Sequence, residues 1–316
     1  MTDATRQKTD LAAGLDGTST PITASHRSLW SDVWQQFYTH KGAVVGVCVL
    51  AFIVLAVTFG PYIHTIDPQH LDIRAKNQGP SWAHPFGTDN LGRDMLAQVL
   101  AGGRTSLSVG VTAMALSLSL GTLIGVLAGY FKILGGPLMR LTDLFLALPI
   151  LPLLLVAIML FRDTLRSAFG PETGIFLLIV FIIGITSWMQ TARIVRGEVL
   201  AIKEREFVLA AHSIGTRQRR IIKRHIFPNV LSPIMVSATL GVAAAIITES
   251  ALSFLGLGFP SDFPTWGRLL YDGVPFLNIT PSRVLWPGLA ISLTVLSVNY
   301  MGDGLRDALD PRIRGR

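Results

Sequence analysis

Six stretches of this chain contain no Asp, Glu, Lys or Arg and are long enough to cross a bilayer as helix, which takes about 17–25 residues. They are 42–63, 105–131, 144–161, 173–192, 226–248 and 284–302, the third being the shortest. Residues 250–261 are uncharged too, but too few to span, and read as a re-entrant or interfacial segment. Between the fourth and fifth stretches the pattern changes. Phe207, Ala210, Ala211 and Ile214 fall at i, i+3, i+4 and i+7, one apolar face of a helix. Gly215 ends that helix, since glycine takes the left-handed C′ conformation at no steric cost. Thr216 is placed to cap a second helix with an Ile221, Ile222 and Ile226 side. Its other side carries Arg217, Arg219, Arg220, Lys223 and Arg224, and Pro228 is expected to stop it. Ahead of the first span, Trp30, Trp34, Phe37 and Tyr38 recur at helical spacing and predict a helix lying along the membrane surface.

Composition agrees with this pattern. The chain of 316 residues is 50% apolar and 15% charged, with a mean hydropathy of +0.50, which is the membrane class. Charge then orients the spans. With the N-terminus, 132–140, 193–224 and the tail after Gly302 on one side, that side holds 19 of the 27 Lys and Arg residues. By the positive-inside rule it is the cytoplasm. Both termini are then inside, and the net charge of +7 belongs to cytoplasmic loops rather than to a nucleic-acid groove. Cys48 is the single cysteine, so no intrachain disulfide forms. No cleavable signal is visible, and the first span is expected to remain as an anchor.

The resulting organisation is a cytoplasmic segment 1–41, disordered over 1–27, a membrane domain 42–302 and a tail 303–316. The spans are 42–63, 105–131, 144–161, 173–192, 230–248 and 284–302, with a cytoplasmic loop 193–229 between the fourth and fifth. The external segment 64–104 contains two glycine-centred turns, with Asp89 and Asp94 as turn or helix-cap residues. Gly121, Gly125 and Gly129 repeat every four residues, a small-residue ridge for close helix packing in the centre of a bundle. Asp143, beside Arg140 at the inner end of the third span, reads as an interfacial charge next to its ion-pair partner. Glu249, at the outer end of the fifth, either lines a pathway or pairs with a loop residue. Residues 251–283 read as an outer loop with Trp266 as an interface anchor and Trp286 nearby.

Several chemistries lack their residues. There is no GxxxxGK[ST] phosphate loop, no HExxH, no cysteine pair and no GxSxG elbow. The seven histidines do not have zinc spacing, and the turn roles of Asp89 and Asp94 leave no metal set with His84. The sequence supports no catalysis and no metal or cofactor bound by this chain alone.

From about Trp30 to Arg314 the chain resembles the permease subunit of ABC importers of the dipeptide, oligopeptide and nickel subfamily. The pieces are FGTDNLGRD (Phe86 to Asp94), RLTDLFLALP (Arg140 to Pro149), RGEVLAIKEREFVLAAHSIGT (Arg196 to Thr216) and RHIFPN (Arg224 to Asn229). ESALSFLGLG (Glu249 to Gly258), PTWGRLL (Pro264 to Leu270) and GDGLRDALDPR (Gly302 to Arg312) follow. The family's Glu-Ala-Ala, three residues, Gly signature is matched by Leu209, Ala210, Ala211 and Gly215, with leucine in place of glutamate and Glu206 one turn earlier. The resemblance implies an all-α, six-span permease of a bacterial inner membrane. Its loop residues Glu206, Phe207, Ala210, Ala211, Gly215, Arg219, Arg220 and Pro228 would couple it to two ATPase subunits, which bind the ATP. A second, similar permease and an extracytoplasmic binding protein would complete the assembly, and short peptides or similar small solutes would be the cargo. The rival is a stand-alone secondary transporter or channel, which is expected to carry paired charges and broken helices at mid-membrane.

Overall fold

The computed structural model describes residues 29–309, and the leader at 1–27 and the tail beyond Leu309 lie outside it. Among the described residues the architecture is helical, with one isolated bridge between Thr88 and Asp94. The helices are α1 (Leu29–Thr39), α2 (Lys41–Ile63), α3 (Met95–Tyr130), α4 (Lys132–Ala147) and α5 (Ile150–Phe169). They continue as α6 (Pro171–Lys203), α7 (Glu206–Ser213), α8 (Gln218–Phe254), α9 (Trp266–Gly273) and α10 (Ser282–Leu309). Five of them, α2, α3, α6, α8 and α10, are long and apolar enough to cross a membrane, and α4 with α5 makes six if counted as one bent span.

That bent pair corrects the third expected span. Residues 144–161 do not form one helix: α4 and α5 meet at 87° across Leu148 and Pro149. The proline ring pushes the preceding residue out of the helical region, and Leu148 duly has ψ 138°. Pro228 is the converse. It was expected to end a helix, yet α8 runs through it, because Ile222–Ile226 form a π-turn in which the Phe227 N–H donates to Ile222 O. The wider turn accommodates a ring that would otherwise clash with the carbonyl four residues back.

α3 is the central element, touching α2, α4, α6, α8, α9 and α10. Its glycine ridge is the contact with α6. A Cβ at Gly125 would lie 2.7 Å from both Ala192 O and Val195 Cβ, and at Gly129 2.7 Å from Val199 Cβ. Only glycine lets the two backbones approach this far. α5 and α6 form a hairpin through Gly170 (φ +86°) and Pro171, and share a core of Leu154, Ile158, Ile175, Leu178, Ile179 and Ile183. α2 packs on α10, and Pro61 within it leaves Val57 O without its helical donor. Arg104 of α3 supplies one, its Nε donating to Val57 O at 2.9 Å and its Nη2 to Thr58 O at 2.6 Å.

The surface helix α1 buries Val33 and Phe37 against Ala43 and Ala308 while Trp34 and Tyr38 remain exposed, as an interfacial helix requires; the side chain of Trp30 lies outside the described residues. On the opposite side, Asp94 caps α3, accepting from Ala97 N at 2.7 Å, and its two oxygens also meet His64 Nε2 at 2.9 Å and His84 Nδ1 at 2.8 Å. Asp89 accepts from Leu91 N, Arg93 N, Arg93 Nε and Gln98 Nε2. Both aspartates thus act as turn and cap residues. Residues 250–261 are not a separate membrane segment: α8 extends to Phe254, and the remainder is a turn through Gly256.

Candidate coupling site

The loop after α6 is a short helix, a left-handed turn and the start of α8. Gly215 has φ +74°, and its N–H donates to His212 O while Thr216 N–H donates to Ala211 O. This pair of bonds is a Schellman cap, the glycine termination expected of this position. Thr216 does not cap the following helix: Arg217 occupies that place, without a side-chain bond to the backbone. With Thr216 N–H already used to close α7, the chain needs one more residue before it turns into α8.

The apolar residues of α7 divide between two surfaces. Val208 and Ala211 are buried with Ile221, Ile226 and Val230 of α8, Val195, Val199 and Ile202 of α6, and Val126 and Tyr130 of α3. Burying a side chain of valine's size contributes about 1.5–3 kcal/mol, so these residues fix α7 to the base of the bundle. Phe207, Leu209, Ala210 and Ile214 face outward, Ile214 being 82% exposed. Ala211 therefore does not share the outward face of Phe207 and Ala210, as its spacing had implied. Val208, the anchor, was missed because Phe207 to Ala211 is an unbroken apolar run in which a helix of eight residues presents no clear polar side.

Glu206 opens α7, where a carboxylate complements the helix dipole. Arg219 and Arg220 are exposed on the first turn of α8, with Arg217, Lys223 and Arg224 beside them, and Pro228 is exposed just after the π-turn. None of these five basic side chains forms an ion pair among the described residues. The Phe207 ring lies 6.1 Å from that of His225, joining the apolar and basic parts of one surface. Such a surface, apolar knob beside unpaired cations, suits a groove with acidic edges.

The two acidic candidates lie elsewhere and are differently employed. Asp143 is paired with Arg193 of α6, Nη2 to Oδ1 at 2.5 Å, rather than with Arg140. Glu249 is fully buried and neither lines an open pathway nor meets a loop cation. It accepts from Ser253 Oγ at 2.7 Å and Ser106 Oγ at 3.0 Å, with Ser250 Oγ at 3.5 Å. Trp266, expected at the lipid interface, is buried beside it, donating from Nε1 to Val99 O at 3.0 Å and from its backbone N–H to Ser106 Oγ at 3.2 Å. This is a packed polar joint between α3, α8 and α9. Among the described residues no group of three His, Cys, Asp or Glu is arranged to hold a metal ion.

Comparison with known proteins places this architecture. The family described as "Binding-protein-dependent transport system inner membrane component" matches residues 121–315, and "N-terminal TM domain of oligopeptide transport permease C" matches residues 28–80. The oligopeptide transport system permease protein OppC of Bacillus subtilis is 36% identical over 307 residues, 96% of each chain. OppC of Haemophilus influenzae is 39% identical over 294 residues, covering 91% of this chain and 90% of the other. The dipeptide transport system permease protein DppC of Alkalihalophilus pseudofirmus is 38% identical over 288 residues, 91% of each. On this extent of similarity the chain belongs to the binding-protein-dependent transport system inner membrane components and is a multi-pass permease subunit of an ABC transporter.

Proposed function

We propose that this permease forms part of the pathway by which an ATP-driven importer carries short peptides or similar small solutes, and that it is driven through its 193–229 loop. The observation that carries this reading is the outward surface of α7 and early α8. Phe207, Ala210 and, at its C-cap, Ile214 are exposed on a helix held from behind by Val208 and Ala211, beside Arg219 and Arg220, which have no ion-pair partner among the described residues. An ATPase subunit receiving this knob would move α7 and α8 together, since Gly215 and the shared core tie them. The relatives named for oligopeptide and dipeptide transport support the cargo. The assembly would comprise this chain, a second permease, two ATPases that bind the ATP, and an external binding protein, with both termini and the loop in the cytoplasm. A self-driven transporter is disfavoured by Glu249, whose carboxylate is taken up by serine hydroxyls at the outer end of α8.

The test compares the chain purified alone with the complex that co-purifies on a tagged copy. Alone, it should hydrolyse no ATP. The complex in liposomes should hydrolyse ATP and take up trialanine when the binding protein is supplied. Ion-gradient-driven uptake by the chain alone would overturn the proposal in favour of secondary transport.

A further inference from the structure

A cleft of about 300 Å³ opens between α6 and α8, closed behind by Met114 of α3 and flanked by Leu146 and Ile150 at the α4–α5 break. None of its lining residues is charged. Four of them carry polar groups with no intramolecular partner among the described residues: the Gln190 amide and the Ser187, Thr191 and Ser237 hydroxyls. Several other hydroxyls in the spans are satisfied within their own helix. Thr112, Ser119, Thr142, Thr186, Thr248 and Thr294 each donate back to a carbonyl four residues earlier in their own helix. Ser187 and Gln190 are three residues apart on one face of α6, and Ser237 lies across the cleft on α8. Gln190 is one turn from Arg193, whose pair with Asp143 sits at the inner end of this apolar region, and the cleft continues from Ser237 towards Thr248 along α8.

Gln190 and Ser187 are exposed on this chain and Ser237 is half-buried, and polar side chains within membrane helices face water, protein or a ligand rather than lipid. We propose that Gln190, with Ser187 and Ser237, is a hydrogen-bonding station for the main chain of a passing peptide. A side-chain amide offers one acceptor and two donors, the complement of a peptide group. A cleft without charge makes no distinction between acidic and basic side chains, so it recognises the feature all peptides share. The volume suits a segment of a few residues, at the lower end of small-molecule sites, which run from about 300 Å³. This rests on the peptide-import reading above and adds to it the residues that meet the cargo and the part of the cargo they meet.

The experiment uses the intact transporter, isolated through a tag on this chain, reconstituted in liposomes with its binding protein. Uptake of trialanine, lysyl-alanyl-alanine and glutamyl-alanyl-alanine is measured side by side. Gln190→Leu should lower uptake of all three by about tenfold, the effect of losing one hydrogen-bonding partner of the bound peptide. Gln190→Glu should shift the ratio of the lysyl to the glutamyl peptide by about tenfold in favour of the lysyl peptide. Ser119→Ala, which removes a hydroxyl bonded within its own helix, should transport as the unsubstituted protein does. Both Gln190 variants should retain the second permease and the ATPases on purification. Unaltered uptake and unaltered ratio in both variants would overturn the inference. Loss of the second permease from Gln190→Leu would overturn it as well, by showing that the amide serves subunit contact. Failure of the unsubstituted transporter to take up any of the peptides would defeat the peptide-import reading itself, and this inference with it.

Discussion

Gly215 is where the proposed coupling site is most open to a quantitative test. A Cβ added there meets no heavy atom within 4 Å, so substitution creates no clash and its whole cost is conformational. At φ +74° an L-residue costs about 1–2 kcal/mol, with alanine towards the low end and a β-branched residue at or above the high end. Asparagine tolerates this region and should cost little. A penalty of about 1–2 kcal/mol reduces the population of the native turn by about five- to thirtyfold relative to alternatives. The buried Val208 and Ala211 keep α7 near the bundle, so the strain is relieved by reorienting the turn rather than by unfolding. Gly215→Asn, Gly215→Ala and Gly215→Val should therefore rank in that order, with near-normal, intermediate and strongly reduced ATPase co-purification and peptide uptake. Membrane levels should be equal across the three, because the change lies outside the spans. Valine performing as well as asparagine would refute the argument that this turn carries the coupling.

Glu249→Ala should lower thermal stability in detergent by about 2–3 kcal/mol, because Ser106 and Ser253 lose their acceptor in a dry joint, whereas Glu249→Gln should cost less; equal melting of the two would mean that the joint is not hydrogen-bond limited. Gly125→Leu should drive α3 from α6 and reduce the folded yield, since even a Cβ there falls 2.7 Å from Val195 Cβ, while Gly136→Ala, with open space, should be silent; normal yield of Gly125→Leu would sink the close-packing account. Leu209→Glu should be tolerated, the side chain being 49% exposed, and loss of uptake without loss of protein would show that the leucine itself is read by a partner. In a Cys48→Ser background, a membrane-impermeant thiol reagent should label a cysteine near Asn77 in intact cells and spare one near Arg219, and the reverse labelling would invert the topology.

Much of the helical core was legible because membrane helices announce themselves by lacking charge. Where reading by charge failed, the reason was a local bond invisible in the pattern. The helix that holds the second expected span, α3, begins ten residues before it at Met95, and Arg104 within it is satisfied by the carbonyls of α2 near Pro61. Pro149 and Pro228 are the same residue with opposite outcomes, one breaking a helix and one absorbed by a π-turn, and nothing adjacent to them in the chain distinguishes the two. Trp266 was read as an interface anchor because tryptophan favours that position; its partners, Val99 O and Ser106, are distant in sequence. Glu249 was half legible, for Ser250 and Ser253 stand beside it, but the third hydroxyl comes from Ser106. Gly215 was legible in full because its role is local. Gln190 went unnoticed because a search for charge passes over an amide.

The continuity of α8 has a mechanical consequence. Its 37 residues at about 1.5 Å each make a rod of about 55 Å, of which about 47 Å separates the basic surface at Gln218 from Glu249 in the buried joint beside Trp266. The two ends are held unequally. At one end Glu249 accepts from Ser106 of α3, whose hydroxyl also accepts from the Trp266 N–H of α9, whereas the other end rests on the aliphatic contacts of Ile221 and Ile226. Under the coupling proposed above, the joint would be the fulcrum and the loop the handle. Tilting such a lever by about 5° about Glu249 would sweep the far end through about 4 Å, most of the rise of one helical turn, and displace Ser237, nearer the fulcrum, by about 1.5 Å.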